Sequence, residues 1–389
     1  MWQQRYGRAR EQLALRWVQV GLLTVAILAL LLAAVPLVRL HLQALAVLQS
    51  VSGQTMSQLL LRVATQPINQ RDLTLQTEAG VVRARLYVPT RHPHSPGLVV
   101  FHGVHHLGID EPRLIAFARA MAACGLTVLT PELPDIKDYR VSEESVRVIG
   151  ASVKWFAQQG NRSVGVMGLS FSGGLALVAA ADPSYRPSMR FVFAVGSQGA
   201  MGRIANYYQT GSEPRPDGTT QLLPAHEYGP LVLEYEHVDE FVPATDVALV
   251  REVLRAHLYE DKPAEDAAAA LLSPRQRNEA LRLMDAGSDS TRAMLRASAL
   301  RHTAEMPGLS PETHLHDLTV PVFLLHGEAD NIIPAAETLW MASELRATTL
   351  QAALVSPVLS HLDMAKAPSA WDEWKLVHFI AQVLRAAKR

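Results

Sequence analysis

The sequence predicts an α/β protein: a mostly parallel sheet flanked by helices, with a helical insertion and an N-terminal transmembrane helix. Three observations lead there. Short, wholly apolar runs such as "GLVVFHG", "SVGVM", "RFVFAVG" and "VPVFLLHG" recur with helical stretches between them, the pattern of strands covered on both faces. Between Gly196 and Leu318 this alternation stops, and the chain from Thr245 to Glu305 reads as helix rich in Ala, Arg and Glu. Near the start, Trp17 to Val38 contains no ionisable residue.

That first segment is long enough, at 1.5 Å per residue, to cross a hydrocarbon layer of about 30 Å. It is apolar all round, unlike an amphipathic core helix. A cleaved signal peptide would have a shorter apolar core and a small-x-small site after it, and "RLHLQALAVLQS" offers only a poor one. Arg5, Arg8, Arg10 and Arg16 precede the segment, and Arg39 stands alone just after it. By the positive-inside rule, residues 1–16 form a short cytoplasmic tail, 17–38 span the membrane, and the rest lies on the extracytoplasmic side. Residues 39–66 are leucine-rich and uncharged between Arg39 and Arg62. They read as a neck, either packed on the domain or lying at the membrane interface.

Residues 67–196 are expected to form the first part of the core. "DLTLQTEAGVVRARLYVPT" alternates as two strands around Glu78 to Gly80. "GLVVFHG" is the next strand. "EPRLIAFARAMAACG" has helical spacing and stops at Gly125. "LTVLTPELP" is a buried strand closed by prolines, and "SEESVRVIGASVKWFAQQG" a serine-capped helix. Strand "SVGVM", helix "SGGLALVAAA" and strand "RFVFAVG" complete this part. Residues 197–317 form the insertion, beginning with a polar loop at "GSEPRPDGTT". Residues 318–389 return to the core with "VPVFLLHG", "QAALVSPVLS" and an amphipathic C-terminal helix, basic at its end.

With net charge −1 and pI about 7.0, and no Lys/Arg run interleaved with aromatics, nucleic acid is not an expected partner. The single cysteine, Cys124, excludes an intrachain disulfide and reads as a small buried hydrophobe.

The chemistry concentrates in "VGVMGLSFSGG", Val164 to Gly174, where a strand runs into Gly-x-Ser-x-Ser-Gly-Gly. A nucleophilic serine must be lifted clear of the backbone, and a tight strand-to-helix turn does this if residues two before and two after are small. Ser170 has Gly168 and Ser172 in those positions; in the shifted frame Ser172 has Ser170 and Gly174. Because the strand ends directly at Gly168, Ser170 falls at the tip and Ser172 in the first helical turn. Gly173 and Gly174 allow close helix–sheet packing.

With these parts the sequence resembles the α/β-hydrolase family, in particular its serine esterase and dienelactone-hydrolase-like branches. The resemblance spans Asp72 to Gly196 and Leu318 to Arg389, and the insertion stands where that family commonly places a lid. The elbow departs from Gly-x-Ser-x-Gly at Ser172, and serine stands where dienelactone hydrolases often use cysteine. In the family, acid and histidine follow the serine in that order. "VFLLHGEADNIIP" then supplies Asp330 after a buried strand, and "LVSPVLSHLDM" supplies His361 after the last one. Glu328 is the nearer competitor, closer to its strand. His102 and His326 end strands before a glycine and are expected to brace loops. The N–H of Phe171, directly after the nucleophile, would serve an oxyanion hole, and by resemblance that of Val104 would be its second donor. His105 and His106 are expected to border the cleft; neither a cofactor nor a metal is expected. The resemblance implies a serine hydrolase acting on a small-molecule carboxylic ester through Ser170, His361 and Asp330. Acyl transfer or peptide hydrolysis on the same triad, and a binding module that lost turnover, are the alternatives.

Overall fold

Period-two alternation inside each apolar strand sets the architecture, because successive side chains must find cover on opposite faces. The computed structural model describes residues 35–53, 57, 62–92, 94–160, 162–359 and 369–389. Among the described residues, eight strands form one sheet in the order β1-β2-β4-β3-β5-β6-β9-β10. They are β1 (Ile68–Thr77), β2 (Gly80–Pro89), β3 (Gly97–Phe101), β4 (Thr127–Pro131), β5 (Val164–Leu169), β6 (Met189–Val195), β9 (Val322–Gly327) and β10 (Leu350–Ser356). The β1–β2 hairpin is antiparallel and β2 runs antiparallel to β4; every other pairing is parallel.

The two faces carry separate cores. Val99, Phe101, Val166, Val192, Ala194, Val322 and Leu324 point to one side. There they meet α3 (Glu143–Gly160) and the all-buried α4 (Phe171–Ala181). Leu98, Val100, Met167, Phe191, Phe193, Phe323 and Leu325 point to the other. They are covered by α1 (residues 35–51), α2 (Pro112–Ala123) and α12 (Ala370–Lys388). Cys124 is buried on this side, where desolvation pushes its thiol up to about 12. It serves as packing, in line with its surroundings.

Most of the expected membrane span, 17–38, lies outside the described residues. No helix among those described is long and apolar enough to cross a membrane. One helix, α1, runs across the 38/39 boundary, since nothing after Pro36 breaks it. Its inner face is part of the domain: Ala44 and Val47 are buried, and Gln43 donates to the carbonyls of Ala64 and Cys124 at 3.0 and 3.1 Å. Lys388 of α12 donates to Gln43 Oε1.

The insertion begins with α5 (Met201–Thr210) and a short hairpin of β7 (Ser212–Pro214) with β8 (Thr220–Leu222). The hairpin replaces the loop that the polar composition suggests; Gly218, at φ +84°, lets the chain turn back on itself. There follow α6 (Tyr228–Glu236), α7 (Val247–Leu258), α8 (Lys262–Ala270), α9 (Pro274–Met284) and α10 (Asp289–Arg301). They close around a third core built on Leu231, Tyr235, Val250, Leu254, Leu272 and Leu283. The main core then resumes with β9, α11 (Ala336–Glu344) and β10.

Candidate active site

Ser170 stands between the end of β5 and the first residue of α4, with φ 54° and ψ −136°. A non-glycine residue there carries roughly 1–3 kcal/mol of backbone strain, which the surrounding structure must hold in place. What holds it is glycine. A Cβ at Gly168 would lie 2.4 Å from Ser172 O and 2.5 Å from Gly173 Cα. At Gly173 it would lie 1.9 Å from Ser197 Oγ, and at Gly174 2.5 Å from the Gln198 amide. The turn and the seating of α4 against the loop after β6 therefore require Gly168 and Gly173, whereas at Gly174 the neighbour is the end of a side chain.

The two serines of the bend go separate ways. Ser172 is fully buried and its Oγ donates to His102 O at 2.6 Å. It thus ties the first turn of α4 to the end of β3, a link glycine could not make. Ser170 lines a cleft of about 430 Å³ instead.

The β3–α2 loop forms one wall of that cleft. Gly103 packs on Ser170: a methyl group in place of its hydrogen would stand only 3.2 Å from Ser170 Cβ. His102 braces the loop: its Nδ1–H donates to Gly103 O at 2.8 Å and its Nε2 accepts from Leu133 N at 2.9 Å. Burial drives its pKa down to about 4, so the ring is neutral and fixed in this tautomer. Val104 lines the cleft with Phe171, and its carbonyl accepts from Tyr228 Oη at 2.8 Å. His105 and His106 stack at 4.6 Å, and His106 stacks in turn on Tyr259 at 4.5 Å. Desolvation lowers the pKa of both histidine rings, and both line the same cleft.

Asp330 lies in the loop after β9, two strands away on the same rim, fully buried. Its Oδ1 accepts from Ile332 N and Ile333 N at 2.9 and 3.0 Å, an arrangement that orients the carboxylate. Ile332 itself lines the cleft. His326 stands 3.4 Å from Asp330 Oδ2 but is committed elsewhere, bonding Ile333 O and Thr338 Oγ1 at 2.8 Å each. Glu328 is exposed on the rim. His361 lies outside the described residues; it follows β10, the strand next to β9.

The opposite wall comes from the insertion. His226, Tyr228, Val232, Leu258, Tyr259 and Glu260 roof the cleft. The backbone N–H of His226 donates to Asn331 O at 2.8 Å, joining this roof to the loop that carries Asp330. No local motif marks these residues, because they are brought there by α6 and α7 packing. A second unforeseen contact holds the loop after β6. Buried Glu337 of α11 accepts from Gly199 N and Ala200 N, each at 2.8 Å, and pairs with Arg203 at 2.7 Å. Among the described residues, His237, Glu240 and His302 also converge, and none of them lines the cleft.

Sheet order, the antiparallel second strand, the strained serine after β5 and the insertion after β6 define the α/β-hydrolase fold. No family model and no curated protein sequence matches the chain. Among solved structures it is similar to Est1E from Butyrivibrio proteoclasticus, with 12% identity over 82% of this chain and 99% of that one, at a TM-score of 0.45. It is likewise similar to a putative lipase from Acinetobacter baumannii AYE, with 14% identity over 82% and 92% and a TM-score of 0.42. A membrane phospholipase A described as a bacterial virulence factor shares 17% identity over 95% and 99%, at a TM-score of 0.42.

Proposed function

We propose that this protein is a membrane-anchored serine hydrolase of carboxylic esters. Ser170 attacks the acyl carbon, His361 takes and returns the proton, and Asp330 holds the imidazole. The N–H groups of Phe171 and Val104 receive the oxyanion, and water resolves the acyl-enzyme. The observation that carries this reading is Ser170 itself: a non-glycine residue held at φ 54°, beside Gly103, at the floor of a cleft.

The anchor is residues 17–38, with the domain on the extracytoplasmic side. In support, α1 presents Val35, Leu37 and Val38 to solvent, and α12 presents Trp371 and Trp374. Exposed apolar and tryptophan side chains of this kind suit a membrane interface. Protease protection in intact cells checks the orientation: a domain shielded from added protease until the cytoplasmic membrane is permeabilised overturns it.

A fluorophosphonate probe tests the nucleophile. Labelling of the folded chain that is lost in Ser170→Ala and kept in Ser172→Ala is expected. Loss in Ser172→Ala alone would place the nucleophile there, and no labelling of folded protein would favour a binding module. Because the base must be neutral, ester turnover should fall as pH drops through about 6 to 7. A rate that stays flat from about pH 5 to 8 contradicts a histidine base. A series of p-nitrophenyl esters of increasing chain length defines the acyl preference.

A further inference from the structure

His237, Glu240 and His302 each offer one ligand atom within 4.8 Å of the others. They come from two places in the chain: the turn after α6, where His237 caps the helix and Glu240 ends the 3-10 segment Val238–Glu240, and the C-cap of α10. The two imidazoles lie nearly parallel, centroids 3.9 Å apart. Glu240 divides its oxygens. Oε2 is taken by Arg301, whose Nε lies 3.0 Å away, while Oε1 faces His302 Nε2 at 2.7 Å. The other nitrogen of His302, Nδ1, lies 3.0 Å from Glu305 Oε2.

Both nitrogens of His302 thus face carboxylates; an ion that displaced the proton between Nε2 and Glu240 would leave Glu305 on Nδ1 as the outer carboxylate that a histidine metal ligand commonly has. Ligand bonds of about 2.0–2.2 Å place neighbouring donors roughly 3.3–3.6 Å apart in a tetrahedral site. The three donors, within 4.8 Å of one another, would have to adjust to that spacing as the ion binds. A cavity of about 70 Å³ lined by His237, His302 and Glu305 adjoins the group, with room for a water as a further ligand.

The geometry points to a divalent transition-metal site of the zinc type in the insertion, with His237, His302 and Glu240 as ligands. Glu305 orients His302, and Arg301 balances Glu240. Two imidazoles and one carboxylate favour Zn²⁺ or Co²⁺ over the oxygen-seeking Mg²⁺ and Ca²⁺. The ion joins the end of α6 to the end of α10, and α6 carries Tyr228 and Val232 over the cleft. It is a staple for the roof and touches none of the residues assigned to the reaction.

The test is calorimetric titration of the full, untagged, metal-stripped chain with ZnCl₂, with the Co²⁺ absorption spectrum read in parallel. One equivalent should bind, raise Tm and give the intense visible bands of a four-coordinate cobalt site. His237→Ala and His302→Ala should each weaken binding at least about tenfold, Glu305→Gln by about tenfold, and His105→Ala not at all. Retained probe labelling at Ser170 reports that each variant is folded; where labelling is absent altogether, far-UV circular dichroism replaces it. Failure of the wild-type chain to take up one equivalent overturns the site, as does uptake unchanged in folded His302→Ala. Either result leaves the reading of Ser170 untouched.

Discussion

Gly168 has no room for a methyl group, since its Cβ would press on the backbone of Ser172 and Gly173 at 2.4–2.5 Å. Rigid backbone cannot yield as a side chain does. Gly168→Ala should therefore lower Tm and abolish probe labelling at Ser170 together, as read by thermal melts and gel fluorescence. Ser172→Ala should behave differently. It strips the donor from His102 O, a buried carbonyl, and should cost about 1–3 kcal/mol in denaturant unfolding while labelling survives. A variant as stable as wild type would show that His102 O finds another donor.

At the scale of elements, the insertion is stabilised by its own caps and carries one buried cost. Ser273 opens α9 with a full capping box, its Oγ accepting from Gln276 N at 3.4 Å while Gln276 Oε1 accepts from Ser273 N at 2.9 Å. Ser273→Ala should cost about 1 kcal/mol. Glu234 in α6 is the opposite case: fully buried, with neither carboxylate oxygen hydrogen-bonded to any described residue. Desolvation raises its pKa to about 9, and nearby Arg282 offsets this only in part. From the ordinary 4.5 up to about 9 the folded chain keeps a proton that the unfolded chain has released, so stability falls as pH rises through that window. Glu234→Leu should then raise Tm, by more at pH 8 than at pH 5. An equal gain at both pH values would mean that the carboxyl is already ionised in the folded state.

On the scale of the whole molecule, three cores meet around one cleft, and acid should loosen their junction. His102, at about 4 against an ordinary 6.5, stays neutral in the folded chain while the unfolded chain binds a proton. Stability from this residue is present above about 6.5 and lost as pH falls toward 4, by about 3 kcal/mol in all. Chemical denaturation should show about 2 kcal/mol of that loss between pH 7 and pH 5, and His102→Asn should reduce it. Removing residues 1–53 should also destabilise the domain, as read by thermal melts, because α1 packs in the core that holds Leu376, Phe379 and their neighbours.

What the sequence determined by itself is the part governed by local physics. Strands covered on both faces must be apolar throughout, so β3, β5, β6 and β9 are legible directly. The bend at Ser170 is legible because only small residues tolerate its crowding. Position at a strand end is enough to mark His102 and His326 as braces and Glu328 as a rim residue, and an apolar setting marks Cys124 as packing. Tertiary structure alone decided which partners those residues meet. That Ser172 reaches His102 O, that Glu337 clasps Gly199 and Ala200, and that His226 to Glu260 roof the cleft all depend on elements distant in the chain. So does the meeting of His237 with His302. Side chains on an exposed helical turn carry no periodic signature of their destination. Packing of the third core chooses it, and that choice exists only once the chain has folded.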